Sequence, residues 1–179
     1  MALETSVIQD TLNERFESAV SDFIQIHDVF TFEVDSDSIA AVMKFLRDDK
    51  QMRFNFLTTL CGMHFPDAPI DRQFSVVYHL HNWVDNVRIR IKCFISANNP
   101  EIDTVSDIFL SANWQERETY DFFGIVFKGH PQLKRILNMD EMVSFPMRKE
   151  FPLEDGGRTD KDDRFFGRTT DNVNNAEAK

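Results

Sequence analysis

The densest group of titratable side chains lies in residues 116–121, which read Glu-Arg-Glu-Thr-Tyr-Asp. On a helix, Glu118 and Asp121 share a face, and two neighbouring carboxyl groups could act as a general acid and a general base. Arg117 precedes Asp121 by one helical turn, however, which is the spacing of an intrahelical ion pair. Because a paired carboxylate stays ionised and is poorly suited to donating a proton, we favour a structural role. A free-standing enzyme that uses Glu118 and Asp121 is kept as an alternative.

Histidine and cysteine offer a second kind of chemistry, metal binding. His79 and His81 would project from the same face of a strand, as two metal ligands could. Their predicted neighbours on the partner strand are cations that would repel a metal, namely Arg88, Arg90 and Lys92. A polar outer face explains the two histidines better. Cys61 and Cys93 belong to no Cys-x-x-Cys pair, so their number and spacing exclude zinc ribbons and cysteine-ligated iron–sulfur clusters. Phosphate-binding loops and Gly-x-Ser-x-Gly are absent from the sequence, which therefore predicts no cofactor or active site.

The charge of the chain limits the class of partner. Its 179 residues carry a formal net charge of −10, from 20 Lys+Arg and 30 Asp+Glu. A field of this sign repels phosphate backbones and anionic lipid unless a local basic patch compensates. Basic residues are interleaved with acidic ones almost everywhere, so we expect no such patch and no nucleic-acid partner.

Membrane insertion and export are not predicted either. The longest mostly apolar run, residues 54–65, is too short and too interrupted to span a bilayer. The N-terminus has neither the basic and apolar regions of a secretory signal nor the arginines of a transit peptide. We therefore expect a cytoplasmic chain.

Hydrophobic periodicity predicts the elements that would position these residues. A capping-box pattern at residues 6–9 precedes an amphipathic helix with apolar positions Ile8, Leu12, Phe16 and Ala19/Val20. A short strand follows at residues 30–34. Residues 35–38 supply N-cap candidates for a second helix, whose apolar face would be Ile39, Val42, Met43 and Leu46. Residues 54–61 predict another strand.

A β-hairpin is the clearest element of the sequence. Apolar and polar residues alternate over 74–81 and again over 87–95, on either side of a turn around Asp85-Asn86, which predicts antiparallel strands with one buried face. Asn113 and Glu116 could cap a further helix, which Gly124 would end. The resulting order predicts an α+β domain over residues 1–138, with helices packed on one face of a small mixed or antiparallel sheet.

Beyond about Leu137 the pattern changes, because no apolar periodicity survives among the charged residues, prolines and glycines. Phenylalanines nevertheless recur at positions 145, 151, 165 and 166. A segment that cannot build its own core but carries spaced aromatic anchors favours an extended tail, residues 139–179, bound across another protein. A solvated terminus is the alternative.

Two blocks of sequence resemble a known family. Residues 114–137 contain Glu-Arg-Glu-Thr-Tyr-Asp-Phe-Phe-Gly-Ile-Val-Phe and Gly-His-Pro-Gln-Leu-Lys-Arg-Ile-Leu. They are similar to the hallmark segment of the C-type (30 kDa-type) subunit of respiratory NADH:quinone oxidoreductase (complex I). Residues 145–152 resemble the Pro-Leu-Arg-Lys-Asp-Phe-Pro block of the same family, with conservative departures at Met147 and Glu150.

The resemblance implies a non-catalytic subunit of the peripheral arm, docked near the quinone site to the D-type subunit and to the iron–sulfur subunits of the B and I types. NADH, FMN and the iron–sulfur clusters would belong to other chains. The subunit would lie on the cytoplasmic side of the bacterial inner membrane, bound there through the complex, which would couple electron transfer from NADH to quinone with proton translocation. Homologous subunits occur in membrane-bound hydrogenases and chloroplast-type complexes, which are the second candidate. Residues that match the motifs and would form the docking surface are Glu116, Arg117, Glu118, Tyr120, Asp121, Gly124, Gly129, His130, Pro131, Arg135, Arg148, Lys149, Phe151 and Pro152.

Overall fold

The computed structural model describes residues 3–151 and contains three α-helices and seven β-strands, joined by loops and short 3-10 turns. In chain order they are helix α1 (Thr5–Phe16), strands β1 (Val20–Ile26) and β2 (Val29–Val34), helix α2 (Ile39–Asp48), strands β3 (Phe56–His64), β4 (Phe74–Asn82), β5 (Val87–Ile95) and β6 (Glu101–Asp103), helix α3 (Ala112–Phe123) and strand β7 (Val126–Lys128).

Five strands form one mixed sheet in the order β1-β2-β5-β4-β3. The β2–β5 pair is parallel and the other three pairs are antiparallel. Strands β6 and β7 form a second, two-stranded parallel sheet. Buried residues of all three helices join the inner face of the large sheet in one core cluster. The predicted α+β fold, with helices on one face of a small mixed sheet, is confirmed.

Helix α3 lies against strand β3, and Gly62 permits this close approach. A Cβ atom at Gly62 would lie 2.7 Å from Cδ2 of Phe123 and 2.8 Å from Cγ2 of Thr119. Both distances are shorter than van der Waals contact, so any larger residue would push the helix away from the strand. The position of α3 beside β3 therefore depends on the missing side chain.

Several predicted elements are confirmed, with corrections at their ends. The apolar face of α2 is fully buried as predicted, and the β4–β5 hairpin pairs from Phe74–Ile95 to Asn82–Val87. The capping box is wrong, because α1 begins at Thr5 and its N-cap residue, Glu4, makes no side-chain cap bond. Asn113 likewise does not cap α3, which begins one residue earlier.

Strand β1 was not predicted, because its residues do not alternate regularly. The register with β2 shifts between Ser21 and Ile24, and Asp22 has a positive φ of 50°. A bulge of this kind adds a residue and inverts the apolar pattern on one side of it. The N-terminal helix ends at Phe16, because Glu17 takes a positive φ of 44°, and it does not continue to Val20 as the spacing predicted.

The outer face of the large sheet differs from the prediction in two ways. Strand β4 is buried on both faces, with Ser75 and Val77 only 1% and 4% exposed. The expectation that no basic patch exists is also wrong. The alternation of β5 places Arg88, Arg90 and Lys92 on the same outer face.

No helix among residues 3–151 is long and apolar enough to cross a membrane. Of the predicted tail, residues 139–151 are described, and they contact α3 and β3. The boundary near residue 138 and the partner-binding role of residues 139–179 stay predictions, and residues 152–179, including Pro152, lie outside the described part.

Candidate functional site

Helix α3 separates the predicted cluster into buried and exposed members. Glu116 and Asp121 are completely buried, and Arg117 is 7% exposed. Glu118 is exposed and lies on the solvent side of the helix. Glu118 and Asp121 therefore do not form the acid–base pair that their spacing allowed.

Asp121 is saturated with hydrogen-bond donors. Its Oδ1 accepts from Nη1 of Arg135 at 2.7 Å and from Nδ2 of Asn138 at 3.1 Å. Its Oδ2 accepts the backbone N–H groups of Ile136, Leu137 and Asn138 at 3.1, 2.8 and 2.9 Å. Burial alone would raise the pKa of Asp121, but the N–H groups of Asn138 and Leu137, together with Arg135, lower it well below its usual range. Asp121 is thus a fixed negative charge around which the chain turns after β7.

The predicted Arg117–Asp121 ion pair is wrong. Nε and Nη2 of Arg117 donate to the carbonyl oxygens of Lys134 and Arg135, at 3.1 and 3.2 Å. The guanidinium also lies 5.0 Å from the ring centroid of Trp114. The buried Arg135 and the three backbone donors outcompete Arg117 for Asp121.

Glu116 lies in a second buried polar group, formed with residues that are distant in sequence. The Thr104 hydroxyl donates to Glu116 Oε2, and the Val105 N–H donates to Oε1 at 2.7 Å. Nε2 of His130 is 4.0 Å from Oε2, and both side chains are fully buried. Burial raises the pKa of Glu116 to about 7, although the hydrogen bonds from Thr104 and Val105 oppose this shift.

His130 has a defined tautomer. Its Nδ1 accepts the N–H of Gln132 at 3.0 Å, so Nε2 carries the proton and donates to the carbonyl of Asn113 at 3.1 Å. Gly129, at φ 82°, makes the turn that brings His130 back towards α3. The predicted turn Gly129-His130-Pro131 therefore joins the end of β7 to the first turn of α3.

Residues 133–151, here called the anchored segment, contain no helix or strand and wrap around the C-terminal half of α3. Nη2 of Arg135 donates to the carbonyls of Met142 and Ser144 at 2.6 and 3.1 Å. Nε of Arg148 donates to the carbonyl of Phe123 at 2.7 Å, and the N–H of Lys149 donates to Nδ1 of His64 at 3.0 Å. These bonds tie the segment to the helix and to the edge strand β3.

Gly124 and Phe145 form the junction between α3 and the anchored segment. The Phe145 ring lies edge-on to Tyr120, with centroids 6.2 Å apart, and the guanidinium carbons of Arg135 and Arg148 are 4.9 and 4.7 Å from its centroid. Gly124 caps the helix at φ 74°, and a Cβ atom there would lie 2.6 Å from Phe145 and from Arg148. The prediction that Gly124 ends the helix is confirmed, and the glycine also leaves room for the segment.

The structure thus divides the predicted residues into two buried groups and a surface. Glu116 meets His130, whereas Asp121, Tyr120, Gly124, Arg135 and Arg148 meet around the anchored segment. Glu118, Gly129, Pro131, Lys149 and Phe151 are exposed. Sequence reasoning missed Thr104, Asn138 and His64. Nothing in the local sequence of these residues indicates a contact with α3 or with the anchored segment.

His79 and His81 lie on the outer face of β4 and make polar contacts there, but His81 is only 3% exposed and does not lie on the polar outer surface that was predicted. Nε of Arg90 donates to Nε2 of His79 at 3.0 Å, and Nε2 of His81 is 3.1 Å from Oδ1 of Asn86. Arg90 and Arg88 pair with the two histidines in register, as expected. Within residues 3–151 no three His, Cys, Asp or Glu side chains come together in a way that could hold a metal.

Comparison with known proteins identifies the family. The profile of the family described as "Respiratory-chain NADH dehydrogenase, 30 Kd subunit" matches residues 32–156, more than half of the chain. The chain belongs to this family. Its motif residues on α3, β7 and the anchored segment all fall inside the matched range.

Individual members of the 30 kDa subunit family match most of the chain. The second C-type subunit of the NADH-quinone oxidoreductase of Rhizobium etli is 38% identical over 154 residues, which cover 86% of this chain and 80% of the relative. The C-type subunit of the NADH-quinone oxidoreductase of Roseiflexus sp. (strain RS-1) is 35% identical over 168 residues, which cover 93% of this chain and 95% of the relative.

Solved structures agree with the family. The trypsin-resistant fragment (1-134) of Nqo5 is 30% identical, with a TM-score of 0.59, and the match covers 70% of this chain and 98% of the fragment. A chain of the archaeal membrane-bound sulfane sulfur reductase is 22% identical, with a TM-score of 0.68, and covers 83% of this chain and 85% of that one. The second likeness shows a shared fold.

Proposed function

We propose that this 30 kDa-type subunit is a non-catalytic scaffold of the complex I peripheral arm, which docks through α3 and the anchored segment to the D-type subunit near the quinone site. The adjacent iron–sulfur subunits of the B and I types would be its other neighbours. The complex would couple the transfer of electrons from NADH to quinone with proton translocation, and this subunit would lie on the cytoplasmic side of the bacterial inner membrane. FMN and the iron–sulfur clusters would be held by other chains.

Exposed apolar side chains on the anchored segment carry this proposal. They are Leu137, Met139, Val143, Met147 and Phe151, which are 64%, 74%, 95%, 48% and 42% exposed. Trp114 on α3 is also exposed, at 61%, and its ring lies 5.0 Å from the guanidinium of Arg117, which is hydrogen-bonded to the anchored segment. Exposed large apolar residues on a segment held by partly buried hydrogen bonds are typical of a protein interface.

The chemistry of the buried residues supports a scaffold better than an active site. Asp121 uses its acceptor positions on structural donors and is held ionised, so it has no proton to give. His130 uses both ring nitrogens on Asn113 and Gln132. These groups position backbone and do not face an open pocket.

Val143→Asp, compared with Val84→Asp, tests the docking surface in the assembled complex. Both valines are exposed, at 95% and 67%, but Val84 lies at the tip of the β4–β5 hairpin, away from the anchored segment. A carboxylate buried in an apolar interface costs at least about 1.4 kcal/mol, or tenfold in association. We expect Val143→Asp to lower the amount of assembled complex on a native gel about tenfold or more, and Val84→Asp to leave it near normal.

Turnover of NADH per assembled complex should be near normal in both variants. If the complex assembles normally with Val143→Asp, the anchored segment is not part of the interface. Normal assembly of Glu118→Gln with turnover reduced by about a hundredfold would show instead that the chain carries a catalytic residue.

Mass spectrometry of co-purifying chains distinguishes complex I from the second candidate, a related membrane-bound complex. The fold shared with the sulfane sulfur reductase chain is compatible with this second candidate.

A further inference from the structure

The two faces of the large sheet are covered differently. The inner face packs against the three helices in the core cluster. On the outer face, the loop between β3 and β4 lies over one end of the sheet, where Arg72 stacks 3.7 Å above the ring of Phe94 and Phe65 lies 6.2 Å from it. Along β5, Arg88 is exposed and Arg90 and Lys92 are half-buried, so this part of the outer face is accessible to solvent.

A row of three cations crosses the middle of the outer face. Arg88, Arg90 and Lys92 alternate along β5, so neighbouring side chains start about 7 Å apart. None of the three forms an ion pair within residues 3–151, and the carboxylate of Glu33, which is beside Lys92, pairs with Arg72 at 2.7 Å. A chain of net charge −10 thus carries a positive stripe on this face.

Apolar side chains flank the stripe on both edges of the sheet. Ile24 on β1 is 52% exposed, and Phe56 and Met63 on β3 are 43% and 39% exposed. Trp83, 62% exposed, stacks edge-on against Phe56 with centroids 5.4 Å apart. Exposed apolar residues around a charged centre are typical of a surface that a partner covers.

We propose that the outer sheet face is a second docking surface, which binds an acidic segment of a neighbouring protein of the assembly with its carboxylates over Arg88, Arg90 and Lys92 and its apolar side chains against Ile24, Phe56 and Met63. The proposal rests on the proposed role in a multi-subunit assembly but uses the face opposite the helices. A nucleic acid fits less well, because the overall negative charge repels a phosphate backbone and a phosphate backbone has no apolar groups for the sheet edges.

Photo-crosslinking in the assembled complex tests this surface. In Phe56→p-benzoylphenylalanine the probe lies on β3. Phe56 is in register with His81 on β4, which is in register with Arg88 on β5, the strand that carries the positive stripe. Phe151→p-benzoylphenylalanine is the matched probe on the anchored segment, since both phenylalanines are similarly exposed, at 43% and 42%. We expect the Phe56 probe to capture a peptide of another subunit that is rich in Asp and Glu.

Charge reversal sharpens the result. Arg88→Glu with Lys92→Glu should lower the yield of the Phe56 crosslink about tenfold, whereas reversal of the exposed Lys44 and Lys50 near α2 should leave it unchanged. Melting temperatures within a few degrees of the parent check that both doubly substituted chains are folded.

Four outcomes overturn the proposal: no crosslink at Phe56 while Phe151 crosslinks, capture of a neutral or basic peptide, capture of residues 152–179 of this chain, and a nuclease-sensitive product. Loss of crosslinks at both probes would instead overturn the proposed scaffold role. An equal yield after both charge reversals would show that the stripe is not the binding determinant.

Discussion

Glu116 and Asp121 lie on the same helix, both completely buried, yet their pKa values move in opposite directions. Asp121 accepts four N–H groups and one guanidinium N–H, and its pKa falls. Glu116 accepts only one hydroxyl and one amide, its nearest basic group is His130 at 4.0 Å, and its pKa rises to about 7. The comparison shows that burial raises a carboxyl pKa unless enough donors replace the lost water.

The two carboxyl groups consequently support different parts of the chain. Asp121 stays ionised well below its usual pKa range and holds the anchored segment through its hydrogen bonds. Glu116 joins α3 to the loop after β6, at Thr104 and Val105, and its charge changes near neutrality. A charge that stays ionised holds the same hydrogen bonds over a wider pH range than one that titrates near neutrality.

Asp121→Asn should have the largest effect, because it leaves Arg135 buried without its counter-ion and removes an acceptor from three amides. We expect a loss of about 3–5 kcal/mol in the free energy of unfolding, and fast hydrogen exchange at the amides of residues 136–138. Since the folded pKa is lowered, the stabilisation by Asp121 is full above its unfolded pKa, about 3.9, and is lost as the pH falls further.

Urea unfolding and exchange mass spectrometry measure these changes, with the exposed Asp140→Asn as the matched control in the same segment. If the amides of residues 136–138 stay protected from hydrogen exchange in Asp121→Asn, the anchored segment does not depend on this charge. The proposed difference between Asp121 and Glu116 would then be wrong.

Glu116→Gln should have a smaller effect whose sign depends on pH. Because the folded pKa is raised, folded Glu116 keeps its proton between about pH 4.5 and 7 while the unfolded chain releases it, so stability falls as the pH rises through this window. A shift from 4.5 to about 7 corresponds to roughly 3 kcal/mol. Glutamine cannot ionise, so the variant should lose this slope and become the more stable form at pH 8.

Unfolding free energies in urea at pH 5, 6, 7 and 8 provide the comparison. If the unfolding free energy of Glu116→Gln depends on pH as steeply as that of the parent chain, another group causes the pH dependence. Glu116 would then not differ from Asp121 in the way described.

Arg117→Ala should be milder than Asp121→Asn and Glu118→Gln milder still. Arg117 donates to two carbonyls, whose loss costs about 1–3 kcal/mol, whereas exposed Glu118 should change stability by less than about 0.5 kcal/mol. Double-mutant cycles in urea should give a strong coupling for Arg135 with Asp121 and a weak one for Arg117 with Asp121. Equal coupling energies in the two cycles would show that Arg117 and Asp121 do form the intrahelical ion pair that the spacing predicted.

The sequence predicted the regular elements well because their periodicity is local. The buried face of α2 and the alternation of β4 and β5 both follow from residues a few positions apart. The Arg-x-Arg-x-Lys pattern of β5 placed its three cations on one face of the strand for the same reason. Strand β1 escaped prediction because the bulge at Asp22 breaks its alternation.

The candidate site was located by its motifs, but its contacts were not. Spacing on a helix proposes only partners within one turn, so it assigned Asp121 to Arg117. The true partners, Arg135 and the amides of residues 136–138, lie beyond β7 and approach Asp121 only after the chain has turned at Gly129. Burial of Glu116 beside Thr104 and His130 likewise depends on the path of two loops.

The parallel pairing of β2 with β5 has a consequence for synthesis on the ribosome. Residue 34 ends β2 and residue 87 begins β5. At a translation rate of 5–20 residues per second, β5 is therefore synthesised roughly three to ten seconds after β2. During this time Phe30 and Phe32, which β5 later helps to cover, belong to a sheet with one open edge. Nascent chains of this protein therefore pass through a stage in which a hairpin edge rich in phenylalanine is open to chaperones and to other nascent copies.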